Sequence, residues 1–220
     1  KVQAVLRKYD IFMWDDEVIC GFGRTGADFG ATSFGIQPQL MSLAKALSSA
    51  YLPVSAAIVT GDIYEALVEP SAKVGIFGHG YTYGGHPVAC AVASKVLEIY
   101  QRDNLFERAR VMGDYMQRKL QAFASHPLVG EVRGMGMIAA LELVANKDTR
   151  QPFDGNAIGG FCALRAQEAG LIVRAMGGNS IALCPPLIIS EAQVDEMTDK
   201  LGRALDETLA HVTREQLLVA

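Results

Sequence analysis

Short apolar runs alternate with longer stretches of helical periodicity in the first half of the chain. Three runs of apolar residues predict buried strands, at 10–14, 39–44 and 54–60. Apolar residues at helical spacing predict helices at 2–9, 61–70, 88–100 and 105–123. Between these elements, residues 71–85 are rich in glycine and aromatic residues and predict a long loop. Long irregular segments in compact domains are usually functional or interfacial.

The second half of the chain has a different pattern. It predicts a hairpin around Gly134-Met135-Gly136 and a capping box at Ser190. It also predicts strands at 171–174 and 180–184 and helices at 157–169 and 191–211. The order of elements therefore predicts an α/β fold in three parts. Residues 1–100 form a mostly parallel sheet domain, residues 101–124 a connecting helix, and residues 125–220 a small α+β domain.

Acidic residues follow the first predicted strand, and a lysine follows the second. Asp15, Asp16 and Glu17 come directly after residues 10–14, and Lys45 comes directly after residues 39–44. Ligands of open α/β sheets bind outside the carboxyl ends of the strands, so we expect Asp16 and Lys45 to share a pocket. From the residues alone, a simple ion pair is an equally good interpretation.

The residues around these two side chains resemble the class III (ω-amino acid) aminotransferases, pyridoxal 5'-phosphate enzymes of fold type I. The similar motifs are DEVICGFGRTG, SLAKAL, PVSAAIVTGDIYEAL, HGYTYGGHPVACA, VRGMGMIAALEL and LCPPLIISEAQVDEM. They follow the family's order over essentially the whole chain. The resemblance implies that these residues are the C-terminal half of a longer enzyme. The N-terminal half of that enzyme supplies the aromatic residue that stacks on the cofactor and the glycine/serine phosphate loop.

The resemblance also assigns the cofactor-binding residues. Lys45, in SLAKAL, matches the lysine that attaches covalently to pyridoxal 5'-phosphate and then moves the proton. Asp16 matches the acid that holds the cofactor's ring nitrogen protonated, and Val18 packs against the ring. Strand alternation puts Asp15 on the opposite face from Asp16. Thr82 matches the threonine that binds the phosphate of the neighbouring subunit's cofactor, which implies a homodimer with its site at the subunit interface.

Arg174 is the predicted substrate-binding residue. It resembles the mobile arginine of the ω-amine:pyruvate transaminases, which binds the carboxylate of the keto acid. Relatives specific for ornithine or γ-aminobutyrate carry an arginine where this chain has Ala182. The implied reaction moves an amino group from an ω-amino acid or amine to a keto acid such as pyruvate. The donor amine and the stereochemical preference stay open.

Other interpretations of these motifs remain. The same motif set serves aminomutases and decarboxylases of the fold, and a non-catalytic fragment would also keep it. Gly21, Gly23 and Gly26 spell the GxGxxG dinucleotide fingerprint, but the sequence continues as a glycine-rich loop instead of opening a helix. Glu17 and Arg24 are interpreted as residues that tie down this loop.

The composition of the chain argues against several kinds of binding partner. The net charge of −4 leaves no basic surface for nucleic acid. No apolar run is long enough to span a membrane, so a cytoplasmic protein is expected. The cysteines are far apart and show no metal-ligand spacing, so we expect neither a disulfide framework nor a metal, and we interpret Cys90, Cys162 and Cys184 as small hydrophobic residues. His86 is interpreted as the cap of the helix that follows it.

Overall fold

The computed structural model describes residues 1–219 and shows two compact units, one from Lys1 to Phe106 and one from Glu107 onward. The first unit contains α1 (Val2–Lys8), β1 (Trp14–Asp16), α2 (Gly30–Phe34), β2 (Leu40–Leu43), β3 (Ala56–Val59), α3 (Gly61–Val74) and α4 (Pro87–Arg102). The second contains β4 (Val129–Met135), β5 (Ile138–Asn146), β6 (Gln151–Pro152), α6 (Ala157–Glu168), β7 (Arg174–Met176), β8 (Ser180–Leu183) and α7 (Glu191–Arg214). The boundary between the units falls within α5 (Leu105–Gln121), inside the predicted connecting segment 101–124.

The first unit has a mixed sheet in the order β1-β2-β3. β1 and β2 are parallel, with Asp16 opposite Ser42, whereas β2 and β3 are antiparallel. Within the predicted mostly parallel sheet, β3 is therefore an antiparallel strand. Parallel neighbours need a crossover, usually an α-helix, but only a single turn of 3-10 helix at Lys45–Leu47 separates β2 from β3.

The first strand differs from its prediction in position and in burial. It begins at Trp14 instead of residue 10, and Ile11, Phe12 and Trp14 are all exposed within the first unit. β1 lies at the edge of this sheet, so no strand of the unit covers its outer side. The core of the unit lies instead around Phe22, Leu43, Leu47, Ala93, Val96, Tyr100 and Leu105.

Two helices of the first unit, α3 and α4, contain a proline, and only the proline of α4 lies at a helix end. Pro87 stands at the first turn of α4, directly before the predicted start of this helix at residue 88. α3, however, does not stop near Pro70 but continues to Val74. A proline removes only one backbone donor, and the helix ends where Gly75 adopts a φ of +80° and donates its N–H to the carbonyl of Ser71.

The second unit is an antiparallel sheet in the order β4-β5-β8-β7, with β6 paired to β5. The predicted hairpin is confirmed, with Met135 opposite Ile138. The capping box is also confirmed, because the Ser190 hydroxyl accepts from the backbone of Gln193. The predicted strand 171–174 lies slightly later, at Arg174–Met176. The core of this unit includes Met116, Leu120, Leu141, Leu143, Ile181, Leu201 and Leu205.

The cysteines differ in their exposure to solvent. Cys162 is buried, and this burial raises the pKa of its thiol to about 11. Cys90 and Cys184 are exposed within their units, so of the three cysteines interpreted as small hydrophobic residues only Cys162 is part of a core. Residues 1–219 contain no cluster of three His, Cys, Asp or Glu that could hold a metal. Within the same residues, no helix combines the length and the apolar composition that a membrane span needs.

Candidate active site

The parallel pairing of β1 and β2 brings Asp16 and Lys45 to one edge of the sheet. Asp16 is the last residue of β1, and Lys45 follows the end of β2 by two residues. Parallel strands end at the same edge, so the backbones of the acid and the lysine both lie there, and the shared pocket stays a prediction. Both side chains are exposed within the first unit.

A groove and a smaller cavity lie beside this edge. The groove has a volume of about 1160 Å³ and is lined by residues that include Val18, Ser42, Tyr81 and Tyr83. The smaller cavity, of about 290 Å³, is lined by Lys45 and shares the segment 52–54 with the groove. The groove is large enough for a ring-shaped cofactor and a small substrate. Val18 lines the groove, and its contact with the cofactor ring stays a prediction.

The three consecutive acids of the DDE motif have different environments. Asp16 is exposed, and its Oδ1 accepts the N–H of Val18 at 3.1 Å. Asp15 is half-buried, and burial together with the neighbouring charge of Glu17 raises the pKa of its carboxyl group. Since Asp15 interacts with Glu17 two positions later, these two carboxyl groups share a face, and Asp16 is the accessible acid.

Glu17 anchors the glycine-rich loop, as its structural interpretation predicted. Its side chain is only 1% exposed. Its Oε2 accepts the N–H of Gly30 at 2.9 Å, and its Oε1 accepts the N–H of Ala31 at 2.6 Å. A Cβ atom at Gly30 would lie only 3.2 Å from Oε2, so a glycine there allows the carboxylate to approach.

The GxGxxG sequence does not open a helix. Phe22, Gly23 and Gly26 all have positive φ angles, of 59°, 92° and 88°, and the five-residue α2 begins only at Gly30. A dinucleotide site needs the glycine turn to lead directly into a helix. The loop is therefore a turn around Glu17.

Lys45 lies in a strained segment. Its φ is +45°, and Ser49 and Ala50 have φ of +49° and +60°. Residues other than glycine rarely adopt this left-handed conformation, because the Cβ atom approaches the following carbonyl oxygen. Strain of this kind is often found at functional sites.

Tyr100 is a residue of this site that the sequence did not reveal. From α4, its hydroxyl reaches the carbonyl oxygen of Ala46, which lies 54 positions earlier in the chain. The sequence predicts only an apolar position of a helix there. No local pattern indicates a contact over that separation.

The aromatic loop before α4 contains Thr82 and His86. Tyr81 and Tyr83 line the groove, whereas Thr82 does not, and its side chain is exposed. His86 is the N-cap residue of α4, but its side chain makes no capping hydrogen bond. The prediction that His86 caps the helix is therefore right for the position and wrong for the side chain.

Arg174 belongs to the second unit. It lies at the start of β7 and pairs with Ala182 of β8. Ala182 pairs on its other side with Ala140 of β5, and Ala140 pairs with Arg133 of β4. The Arg133 guanidinium contacts the carboxylates of Glu131 and Glu142 at 3.0 and 2.6 Å. Within residues 1–219, Arg174 is exposed and forms no ion pair, and two alanines separate it from Arg133.

A groove beside the carboxyl ends of neighbouring parallel strands, where a lysine and an acid follow those strands, has the architecture of a small-molecule site in an α/β protein. The sequence profile of a family described as Aminotransferase class-III matches residues 1–205. The chain belongs to the class III aminotransferases. This confirms the family and the fold type I architecture that the motifs implied.

Individual relatives are similar over nearly all of this chain. It is 45% identical over 213 residues to the putrescine–pyruvate aminotransferase of Pseudomonas aeruginosa, covering 96% of this chain and 46% of that protein. It is 44% identical over 209 residues to the tomato (Solanum lycopersicum) chloroplastic gamma aminobutyrate transaminase 3, covering 94% and 40%. The omega transaminase from Pseudomonas jessenii in complex with PMP superposes with a TM-score of 0.93 and 47% identity, over 96% and 47%. The chain therefore spans about half the length of the relatives that it matches.

Proposed function

We propose that the protein is a pyridoxal-phosphate-dependent transaminase that moves an amino group from an amine or ω-amino acid to a keto acid such as pyruvate. The observation that carries the proposal is the placement of Asp16 and Lys45 at the ends of adjacent parallel strands, beside the groove. Similarity to a putrescine–pyruvate aminotransferase favours an amine donor and a keto acid acceptor.

The residues at the sheet edge fit pyridoxal 5'-phosphate. When bound, this cofactor supplies an electron sink for the charge that develops on the donor carbon. Lys45 would hold the cofactor through its amine and would move the proton during the reaction. Asp16 would hold a proton on the ring nitrogen by a charge-assisted hydrogen bond. Val18, in the wall of the groove, would pack against the ring.

Arg174 recognises the carboxylate of the keto acid. A guanidinium group can form two parallel hydrogen bonds with a carboxylate, and Arg174 has no ion-pair partner among the described residues that would compete. Its neighbours across the strands, Ala182 and then Ala140, are small and leave space beside it.

The active enzyme is proposed to be a homodimer that also contains the N-terminal half found in the relatives. Thr82 is exposed and does not line the groove of its own chain, which favours contact with the cofactor phosphate of a neighbouring subunit. The large exposed apolar residues of the first unit, including Ile11, Phe12 and Trp14, are consistent with cover by further protein. The proposed location is the cytoplasm.

The test is alanine formation by the full-length protein with pyruvate, putrescine and pyridoxal 5'-phosphate. Lys45→Ala should abolish it and remove the visible absorption band that borohydride bleaches. Lys95→Ala is the matched control, because Lys95 is an exposed lysine of α4 that only pairs with Glu98. Retained turnover in Lys45→Ala would remove Lys45 from the mechanism. Release of carbon dioxide without alanine would indicate a decarboxylase, and absence of the band in the unsubstituted protein would indicate a non-catalytic chain.

Arg174→Ala tests the substrate assignment. Loss of charged hydrogen bonds worth about 1.5–3 kcal/mol should raise the KM for pyruvate by roughly 10- to 100-fold. The KM for the amine should change much less. Equal changes in both constants would contradict a role in carboxylate recognition.

A further inference from the structure

The hydroxyl of Tyr100 connects two points of the strained segment that contains Lys45. It donates to the carbonyl oxygen of Ala46 at 2.7 Å, and its oxygen lies 2.6 Å from Oγ of Ser49. A phenol has one hydrogen to donate, so the Ser49 hydroxyl must be the donor in the second contact. One side chain of α4 therefore bonds to the segment near its beginning and near its end.

The internal bonds of this segment are long. The N–H groups of Ser48 and Ala50 donate to the carbonyl oxygen of Lys45 at 3.2 and 3.3 Å, and the N–H of Ser49 donates to that of Ala46 at 3.2 Å. Three of the six residues from Lys45 to Ala50 have positive φ angles. Such conformations persist only where the surroundings enforce them. The two short bonds to Tyr100 supply this constraint from outside the segment, together with the bond from the Ser48 hydroxyl to the carbonyl oxygen of Leu52 at 2.7 Å.

Tyr100 is itself held in place. It is only 6% exposed, and its ring centroid lies 6.4 Å from that of Phe22 and 5.7 Å from that of Phe106. A tyrosine ring has only two rotatable bonds, and packing on two sides fixes both of them. The position of the hydroxyl is therefore set by the core of the first unit.

We propose that Tyr100 is a positioning residue for Lys45. Its hydroxyl holds the segment 45–50, in which Lys45, Ser49 and Ala50 are left-handed, in the conformation from which the Lys45 side chain lines the cavity beside the groove. The consequence for catalysis rests on the proposed function, because it requires Lys45 to be the reactive amine. The claim that Tyr100 holds the conformation of the segment 45–50 does not depend on that function.

The first experiment is amide hydrogen exchange, followed by mass spectrometry, on the cofactor-free full-length protein. Tyr100→Phe removes both bonds and keeps the ring, so the amides of residues 47–51 should exchange roughly tenfold faster. Tyr115→Phe is the matched control, because it removes a similar hydroxyl bond, to Asp195 at 2.7 Å, in the second unit. That control should leave exchange at residues 47–51 unchanged. Equal exchange in Tyr100→Phe and Tyr115→Phe would overturn the proposal.

A second readout follows the Lys45 amine directly. Reductive methylation with formaldehyde, with Lys95 as the internal reference, should change its rate at Lys45 in Tyr100→Phe and leave the rate at Lys95 unchanged. If Tyr100→Phe does not fold, Ser49→Ala removes only one of the two bonds and should speed exchange roughly threefold. No change in that variant would overturn the proposal.

Activity separates the two proposals. Tyr100→Phe should lower kcat for transamination more than it changes the KM for the amine. If Lys45→Ala retains turnover while Tyr100→Phe still loosens the segment, the proposed function fails and the structural role of Tyr100 stands. If Lys45→Ala is inactive and the segment in Tyr100→Phe exchanges as in the unsubstituted protein, the positioning role alone fails.

Discussion

Replacing Glu17 by glutamine should destabilise the glycine-rich loop far more than the loss of one negative charge suggests. The buried carboxylate accepts two backbone N–H groups, at 2.9 Å from Gly30 and 2.6 Å from Ala31. Each hydrogen bond to a charged group contributes about 1.5–3 kcal/mol. Glutamine keeps one acceptor oxygen, but its NH₂ group faces the second backbone donor and leaves it unpaired.

The expected loss is therefore about 2–4 kcal/mol of unfolding free energy. Relief of the repulsion between Glu17 and the neighbouring carboxyl of Asp15 offsets part of this, so the lower end of the range is expected. At roughly 2–4 °C per kcal/mol for a chain of this size, the melting temperature should fall by about 4–8 °C.

The assay is urea unfolding of the cofactor-free protein, monitored by circular dichroism, with Glu69→Gln as the control. Glu69 pairs with Lys73 on α3, where both side chains are more than 70% exposed (72% and 77%). That substitution should cost about 0.5 kcal/mol or less. If Glu17→Gln costs no more than Glu69→Gln, the two short bonds do not stabilise the loop, and the account of Glu17 as its anchor is wrong.

Three further predictions test other parts of the structure. Ala50→Gly should stabilise the protein by about 1 kcal/mol in urea unfolding, because glycine adopts the φ of +60° without strain, and a loss would contradict strain at that position. Gly113→Ala should destabilise it by about 2 kcal/mol, because the new Cβ atom would lie 2.6 Å from the backbone of Gly136, whereas Gly160→Ala, with nothing within 4 Å, should stabilise slightly. Asp15→Asn should stabilise the protein increasingly as the pH rises. The raised pKa in the fold means that the unsubstituted protein is most favoured below the ordinary aspartate pKa and loses that stability as its carboxyl ionises. Thermal midpoints of both proteins between pH 4 and 8 measure this difference, and a constant difference would refute it.

Structural features that depend on residues only a few positions apart could be predicted from the sequence. The glycine-containing turn 134–136 and the alternating residues around it indicated the β4–β5 hairpin, and the spacing of Ser190 and Gln193 indicated the capping box. The carboxylates after β1 and the lysine after β2 indicated a site at one sheet edge, since residues that directly follow two parallel strands lie at the same edge. The motifs around them were sufficient to indicate the family.

Contacts between distant residues were decided only by the tertiary structure. The antiparallel direction of β3, the exposure of β1 and the contact of Tyr100 with Ala46 depend on which elements come to lie side by side. A sequence pattern reports the preference of each segment for helix, strand or turn, which is set by nearby residues. The bonds that hold Lys45 in a left-handed conformation come from a helix more than 50 positions away (54 from Ala46 to Tyr100), and no local preference encodes such a contact.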